Sequence, residues 1–516
     1  MTKYVAGIDA GTMGVRCVIF DPEGKEIASA YYETPTKYPR PGWVEQNAQD
    51  IIDLAYKSCK DAIAQSGVSP KDIAGISFTN QRSTFVPIDK QGNYLRPDII
   101  WQDTRGAEFE KTLPEKISNA ELYRRTGLPI STIWPMLKIL WVKKYEPDVF
   151  NKTYKFLMVQ EMLVKAFGGR DYIGDLADSN WWQITNLDTF KYDQGLADIF
   201  GVDLSMFPEN VDPGTVVGEV TAEVAEKSGL ALGTPVIIGA GDQQCGVVGA
   251  GVVFEGMASV TLGTAGLAIA YSPKSVRDPN LGMMILGHAG THHWEIEGIT
   301  NAAASSYRWF RDNLGQLEVS ASKLAKNGNP YALINQQVAE SPVGAHGLLF
   351  LPYLAAAGTP HYDSSARGTF VGLTLGHTRG DVARSIMEGI CLEMRDVIEN
   401  QRAAGVNIEK YRITGGATRS PLWNQMQADV YGRPVETLAV TEVTALGAAI
   451  FAAVGSGLYK DVYEATKNMV HPVETYTPNT DNTAVYDELY NIFAKTYQAL
   501  KGEAYPLITA FQAKHM

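Results

Sequence analysis

The stretch VAGIDAGTMGVRCVIFD, from Val5 to Asp21, decides the fold, because ASVTLGTAGLAIAY, from Ala258 to Tyr271, repeats its plan. Each is an apolar β-like run, a Gly-Thr turn and a second apolar run, the pattern of a β-hairpin. Only the first turn carries an acid, Asp9. A hairpin-led unit at the head of each half predicts a duplicated α/β chain. Backbone N–H groups in such turns form anion-binding nests, and glycine lets them come close to a phosphate. Two halves facing each other would then hold one polyphosphate between two Gly-Thr turns. The competing reading is a pair of ordinary hairpin turns, where glycine is expected in any case.

At 516 residues the chain is too long for one core, so two domains are the default, with three as the alternative. The boundary is placed near Val252 to Gly256, just ahead of the second hairpin, giving residues 1–252 and 253–516. Apolar residues at 45% and charged residues at 20% are those of a soluble globular protein. A net charge of -12 argues against nucleic acid or an anionic membrane as partner, since both require clustered Lys and Arg. No apolar run approaches bilayer length, and Met1 to Lys3 leads straight into a strand, so neither a transmembrane segment nor a signal peptide is expected. Cys17, Cys59, Cys245 and Cys391 form no C-x-x-C pair, which points to a reducing cytoplasm. The one histidine cluster, His292-His293, lacks an i, i+4 partner or a nearby acid and reads as a loop or strand position.

Strand and helix patterns alternate throughout. KEIASAYYET continues the first hairpin as a third strand. NAQDIIDLAYKSCKDAIAQSG reads as an amphipathic helix capped by Asn47 and stopped at Gly67. IAGISFTN and TPVIIGAGD are buried strands, and STFVPIDKQGNYL resembles a hairpin turning at Gln91-Gly92-Asn93. In the second half DVARSIMEGICLEMRDVIENQRAAG is a helix, KYRITGG a strand and turn, and PLWNQMQADVYG another helix. VTALGAAIFAAVGSG is a helix whose small face (Ala445, Ala448, Ala449) suits close packing. Tyr486, Leu489, Tyr490, Phe493, Tyr497 and Leu500 have helical spacing and predict a terminal helix packed on a domain surface. No G-x-x-x-x-G-K-[ST] and no G-x-G-x-x-G between a strand and a helix is present, which removes the P-loop and leaves a dinucleotide fingerprint unsupported.

GIDAGT with Arg16, GAGDQQCGVVGAG, TLGTAG, GLLFLPYL followed by GTPHYDSSARGTFVGL, and ITGGATRSPLWNQMQADVYGRPV together resemble the FGGY carbohydrate kinases, in the family's order and over nearly the whole chain. The resemblance implies an α/β fold of two ribonuclease-H-like domains, the actin-like ATPase architecture, with ATP and a sugar meeting in the inter-domain cleft. It implies a cytoplasmic phosphotransferase that uses ATP and Mg²⁺, and a dimer is common among such kinases. Asp9 would face the Mg²⁺ through water, since that ion dehydrates reluctantly. Gly11, Thr12 and Met13 would approach the terminal phosphates beside Arg16, and Gly263-Thr264 would grip the nucleotide from the other domain. Gly416 and Ser420 fall where the family contacts the adenosine. Arg308, on the NAAASSYRWFRDNL helix, is either a nucleotide contact or a surface arginine.

Asp242 follows a strand at a glycine turn and opens a small-residue helix. Read from its position alone it is equally a helix N-cap or a base. The resemblance favours the base, which takes the proton of the sugar hydroxyl as the O–P bond forms. In the acceptor pocket the resemblance implies Gln81, Arg82, Trp101, Asp242 and Gln243. Arg82 is followed by Ser83 where glycerol kinases have Glu, and their pocket tyrosine aligns with Ile133, so glycerol is disfavoured. The Gln-Met-His of xylulose kinases is Gln81-Arg82-Ser83 here. Trp181 and Trp182 either wall the pocket or fill a core. A ketose leads by family frequency, ahead of a pentitol or tetritol and an autoinducer-type sugar. The rival from another class is an ATP-driven switch protein of the actin and heat-shock superfamily, whose hydrolysis responds to protein or peptide rather than sugar.

Overall fold

The computed structural model describes residues 3–324 and 328–515. The first half is built on β1 (Tyr4–Ala10), β2 (Gly14–Phe20), β3 (Glu26–Glu33), β4 (Ile73–Asn80), β5 (Val216–Glu219) and β6 (Pro235–Gly241), in sheet order β5-β6-β4-β1-β2-β3. The strands β1, β2 and β3 pair antiparallel, β1-β4 and β4-β6 are parallel, and β5 closes the edge antiparallel. The second half uses β7 (Gly256–Leu262), β8 (Gly266–Ser272), β9 (Met284–Gly287), β10 (Trp294–Thr300), β11 (Ile408–Thr414), β12 (Val435–Leu438) and β13 (Pro472–Tyr476). Its order is β9-β10-β8-β7-β11-β12-β13. With the extra strand β9 set aside, the directions match the first half strand for strand. The repeat seen in the two Gly-Thr hairpins is therefore a duplication of the whole sheet.

These central strands read as continuous apolar runs because both faces are covered. On the first sheet, α1 (Ala48–Ser66) lays Ile51, Ile52, Ala55, Cys59 and Ala62 against one face. It starts where the Asn47 side chain accepts from the Gln49 and Asp50 N–H groups and stops at Gly67, which is left-handed at φ 67°. The Gln91-Gly92-Asn93 turn is present, closed by one bridge between Ile88 and Tyr94. All four cysteines are buried and unbridged.

The helices that pack on or beside the two sheets include α2 (Asp242–Gly249), α3 (Ala304–Asn313), α4 (Arg379–Ala403), α5 (Pro421–Tyr431) and α6 (Val443–Gly455); α7 (Thr480–Lys501) lies near the chain's end. Each half lends a helix to the other. The small face of α6 packs against the back of the first sheet, bringing Ala445, Ala448 and Ala449 to Val5, Val18 and Ile237. In return Val247 of α2 reaches Met257, Ile269 and Tyr271 of the second sheet. Where α2 and α6 cross, their backbones touch. A Cβ on Gly249 would lie 1.8 Å from the Val443 carbonyl oxygen, and one on Gly447 would lie 1.9 Å from that of Cys245. Only glycine permits that approach.

At the end of the chain, Tyr486, Leu489, Phe493 and Tyr497 form the buried stripe of α7, as the spacing predicts. Among the described residues no helix is long and apolar enough to cross a membrane.

Candidate active site

The sequence-predicted residues gather where parallel strands end, the usual ligand position of open α/β sheets. Asp9 lies at the end of β1, Gln81 and Arg82 follow β4, and Asp242 follows β6. Gly263 and Gly416 follow β7 and β11 in the other half.

In the first turn the carbonyls are bonded away from the cleft. Ala10 O accepts from the Gln81 N–H (2.9 Å), Thr12 O from the Gln46 amide (2.8 Å) and Met13 O from the Thr34 N–H (3.1 Å). The N–H groups of Gly11, Thr12 and Met13 have no acceptor among the described residues, so the turn keeps the donors a phosphate needs. Met13 is exposed. Asp9 is paired in register with Arg16 on β2 and with Thr79 on β4, and its Oδ1 is buried without a hydrogen-bond partner. Burial, with the charges of Asp242 and Glu442, pushes its carboxyl up to about 7 against the pull of Arg16. Arg16 in turn reaches across to Glu442 at 3.4 Å, at the start of α6.

The second turn lacks the acid, and its Gly263 N–H is taken by the Ala265 carbonyl at 3.0 Å. Its carbonyls accept from the start of α3, Gly263 O from Ala304 N–H (2.9 Å) and Thr264 O from Ala303 N–H (3.0 Å). The position that repeats Asp9 is Thr261, whose hydroxyl bonds the Thr414 hydroxyl at 2.7 Å. That site is satisfied by its own neighbours, whereas the oxygen of Asp9 is not.

Asp242 is the first residue of α2. No cap bond from its side chain to the next turn is present; instead Oδ1 accepts from the Gln243 N–H at 2.7 Å and faces Arg82 Nε at 3.2 Å. Both contacts fall on Oδ1 rather than Oδ2. Burial raises the carboxyl above its ordinary value, Arg82 lowers it and Glu297 raises it. Arg82 is held from the opposite half: Glu297 on β10 accepts from both of its terminal nitrogens, at 2.7 and 2.8 Å, while the Trp181 ring lies 4.2 Å below the guanidinium. Two residues along β10, Glu295 is buried and accepts from Gln244 at 2.8 Å, and burial pushes it up to about 8.

Trp101 is half-buried and donates its indole N–H to the Thr12 hydroxyl at 2.9 Å, linking its loop to the first Gly-Thr turn. The loop is fixed from below by Lys138, wholly buried, whose ammonium donates to the carbonyls of Ile100, Trp101 and Ile133. Gln81 is buried and donates its amide N–H to Gln46 at 2.6 Å, while its Oε1 has no hydrogen-bond partner. Gln243 is half-buried beside Asp242. Trp181 and Trp182 are both core, yet Trp181 also floors Arg82, so the two readings of that pair meet in one residue.

On the other side a cavity of about 820 Å³ is lined by Ala304, Tyr307, Tyr331, Asn335, Gly416 and Ser420, among others. Ser420 caps α5 through the Trp423 N–H and accepts from Asn335 at 3.1 Å, and a Cβ on Gly416 would meet nothing within 4 Å. Arg308 is exposed on α3 and outside this lining. The sequence reading passed over Glu297, Glu295, Asn335 and Tyr307. The signal for the two acids was present in WEIEG, where acids at i and i+2 share one face of a buried strand.

Comparison with known proteins agrees with this geometry. The FGGY family of carbohydrate kinases matches in both parts, its N-terminal domain over residues 4–249 and its C-terminal domain over residues 258–456. The chain is 30% identical to a xylulose kinase of Bacillus subtilis (strain 168), over 97% of each chain. It is 33% identical to a glycerol kinase of Solidesulfovibrio magneticus, over 90% of this chain and 92% of the other. The crystal structure of a ligand-bound xylulose kinase from Lactobacillus acidophilus superposes with a TM-score of 0.89 at 25% identity, covering 98% of this chain and all of the other.

Proposed function

The chain belongs to the FGGY family of carbohydrate kinases, and from that premise we propose that it transfers the terminal phosphoryl group of ATP to a hydroxyl of a small neutral ketose such as xylulose, with Asp242 as the base. The observation that carries the reading is the unequal state of the two Asp242 oxygens. Oδ1 is tied to Arg82 and the Gln243 N–H, which orients the carboxylate, and Oδ2 is left to accept a proton.

A sugar hydroxyl is a poor nucleophile, and its proton has to leave as the bond to phosphorus forms. Asp242 takes that proton, while the remaining work is alignment and charge neutralisation. Gly11, Thr12 and Met13 present N–H donors to the terminal phosphates, with Arg16 beside them. Gly263 and Thr264 hold the nucleotide from the second half, and Gly416 and Ser420 bound the adenosine cavity. Residues 1–252 act as the acceptor and phosphate half and residues 253–516 as the nucleotide half, with α6 returning to the first sheet. Asp9, with its unpartnered buried oxygen, would hold a hydrated Mg²⁺, which would supply charge neutralisation for the phosphates.

The charge inventory favours a neutral acceptor. Arg82 is the cation beside Asp242, and its three nitrogens already face Asp242 and Glu297. A sugar acid would bring a further carboxylate to a place that holds Asp242, Glu297 and Glu295. Arg82 and Trp101 supply the polar and aromatic contacts, and Ile133, 38% exposed, supplies an apolar one.

The test is ADP release with Mg-ATP against a panel of ketoses, polyols and sugar acids, run beside Asp242→Asn. One neutral sugar should raise turnover, and the variant should lose about 10²- to 10⁴-fold in kcat while still binding nucleotide. A sugar-independent turnover that matches in parent and variant would sink the kinase reading in favour of an ATP-driven switch.

A further inference from the structure

Resting on the reading of Asp242 as the base, we propose that Glu297 is a positioning residue that keeps Arg82 off the second oxygen of Asp242, so that Oδ2 stays open to the acceptor hydroxyl. A guanidinium presents a planar fork that matches a carboxylate through two parallel hydrogen bonds. Two carboxylates compete for the fork of Arg82. Glu297 has won it, with 2.7 Å from one terminal nitrogen and 2.8 Å from the other, while Asp242 receives only the side-on Nε contact at 3.2 Å. The arrangement is firmly held. The Glu297 side chain is 1% exposed, so leaving it unpaired would strand a buried charge, and the Trp181 ring under the guanidinium restricts its swing.

The partition also depends on the two halves being together. Arg82 and Asp242 come from the first half and Glu297 from β10 of the second. The charged groups that act on Asp242 are Arg82 from the loop after β4, Glu297 from β10 and, through their mutual repulsion, Asp9 from β1. Glu295, on the same face of β10, and Asp178 act on Arg82 from behind. With the Glu297 charge removed, the fork turns onto Asp242, engages both oxygens and makes the carboxylate a weaker base. Arg82 lowers the Asp242 carboxyl and Glu297 raises it, so both changes act in the same direction.

The experiment uses the full chain with Mg-ATP and the best acceptor, comparing the parent with Glu297→Gln, Glu297→Asp, Arg82→Met, the double variant Glu297→Gln/Arg82→Met and Asp242→Asn. Glu297→Gln should lose about ten- to hundredfold in kcat, the factor for one charge-assisted hydrogen bond wrongly placed, with nucleotide affinity near the parent's. The acidic limb of its kcat profile should move to lower pH, and Glu297→Asp should restore most of the rate. The double variant should be no slower than Arg82→Met alone, since no fork remains to cap the base. A parental kcat and unshifted limb in Glu297→Gln, or losses that simply multiply in the double variant, would overturn the positioning role. An active Asp242→Asn would instead remove the base reading beneath it.

Discussion

Gly447→Ala tests whether the crossing of α2 and α6 fixes the catalytic geometry. The new Cβ would sit 1.9 Å from the Cys245 carbonyl oxygen, 2.5 Å from its carbonyl carbon and 2.8 Å from its Cα. All three atoms are backbone, so no side-chain rotation relieves the contact. Ordinary van der Waals contact begins at 3.4 Å, and α2 therefore has to withdraw by roughly 1.5 Å or α6 has to move with it. Cys245 lies three residues beyond Asp242 on the same helix, so Asp242, the proposed base, is carried by the same shift. Misplacement of a reacting group by about 1 Å costs about 10²-fold. The expected result is a kcat lowered by about 10²-fold, with overpacking costing about 1–3 kcal/mol of stability. Steady-state ADP release and thermal unfolding read the two effects separately, and Gly502→Ala, whose Cβ meets nothing within 4 Å, serves as the control. A variant that unfolds at the parental temperature with parental kcat would refute the reasoning, because it would mean that the crossing neither resists the methyl nor holds Asp242.

Two further outcomes follow from single groups. Asp9, raised to about 7 in the folded chain against an ordinary 3.8, is protonated when folded and ionised when unfolded between those values. Its contribution to stability is thus complete below pH 3.8 and is lost as pH rises through 7; in Mg²⁺-free buffer the fall in unfolding midpoint across that window should be shallower in Asp9→Asn. Trp101→Phe keeps the ring and loses the 2.9 Å bond to Thr12, a neutral hydrogen bond of about 1 kcal/mol, so kcat/KM for the acceptor should fall about fivefold in initial-rate assays. An unchanged value would separate the aromatic wall from the phosphate turn.

The fold was legible because its signals are local. A Gly-Thr turn between apolar runs, Asn47 before and Gly67 after an amphipathic stretch, and an alanine face on Val443–Gly455 each state their own conformation. The place of Asp242 at the start of a helix after a glycine turn was legible for the same reason, while position alone left cap and base equal. What the alanine face did not state was its partner. The helix lies on the sheet of the other half, and that exchange depends on Gly7, Gly249 and Gly447 meeting backbone far away in sequence. Glu297 was hidden in the same way. Nothing near it in the chain indicates that its carboxylate takes the fork of an arginine 215 residues earlier. Arg308, read from the sequence as either a nucleotide contact or a surface arginine, is exposed and outside the cavity lining.

The difference between the two hairpins has a structural cause. Both turns direct carbonyls into neighbouring hydrogen bonds, but the Gly263 N–H is taken by the Ala265 carbonyl at 3.0 Å, so the backbone device is duplicated only in part. The strand position two residues before the turn is not. In the second half it is Thr261, facing Thr414 in register, and the two hydroxyls satisfy each other at 2.7 Å. In the first half the same register pairs Asp9 with Thr79, and neither the Asp9 Oδ1 nor the Thr79 hydroxyl has a partner. A buried polar atom left without a partner costs about 1–3 kcal/mol. The second half has removed that cost with a neutral pair. The first half retains it at the one place where Asp9, Arg16 and Asp242 act on one another. Unequal hairpins on equal sheets are what a single reaction centre between two halves requires. One half keeps a buried carboxyl oxygen without a partner beside its turn, and the other has a pair of hydroxyls that satisfy each other.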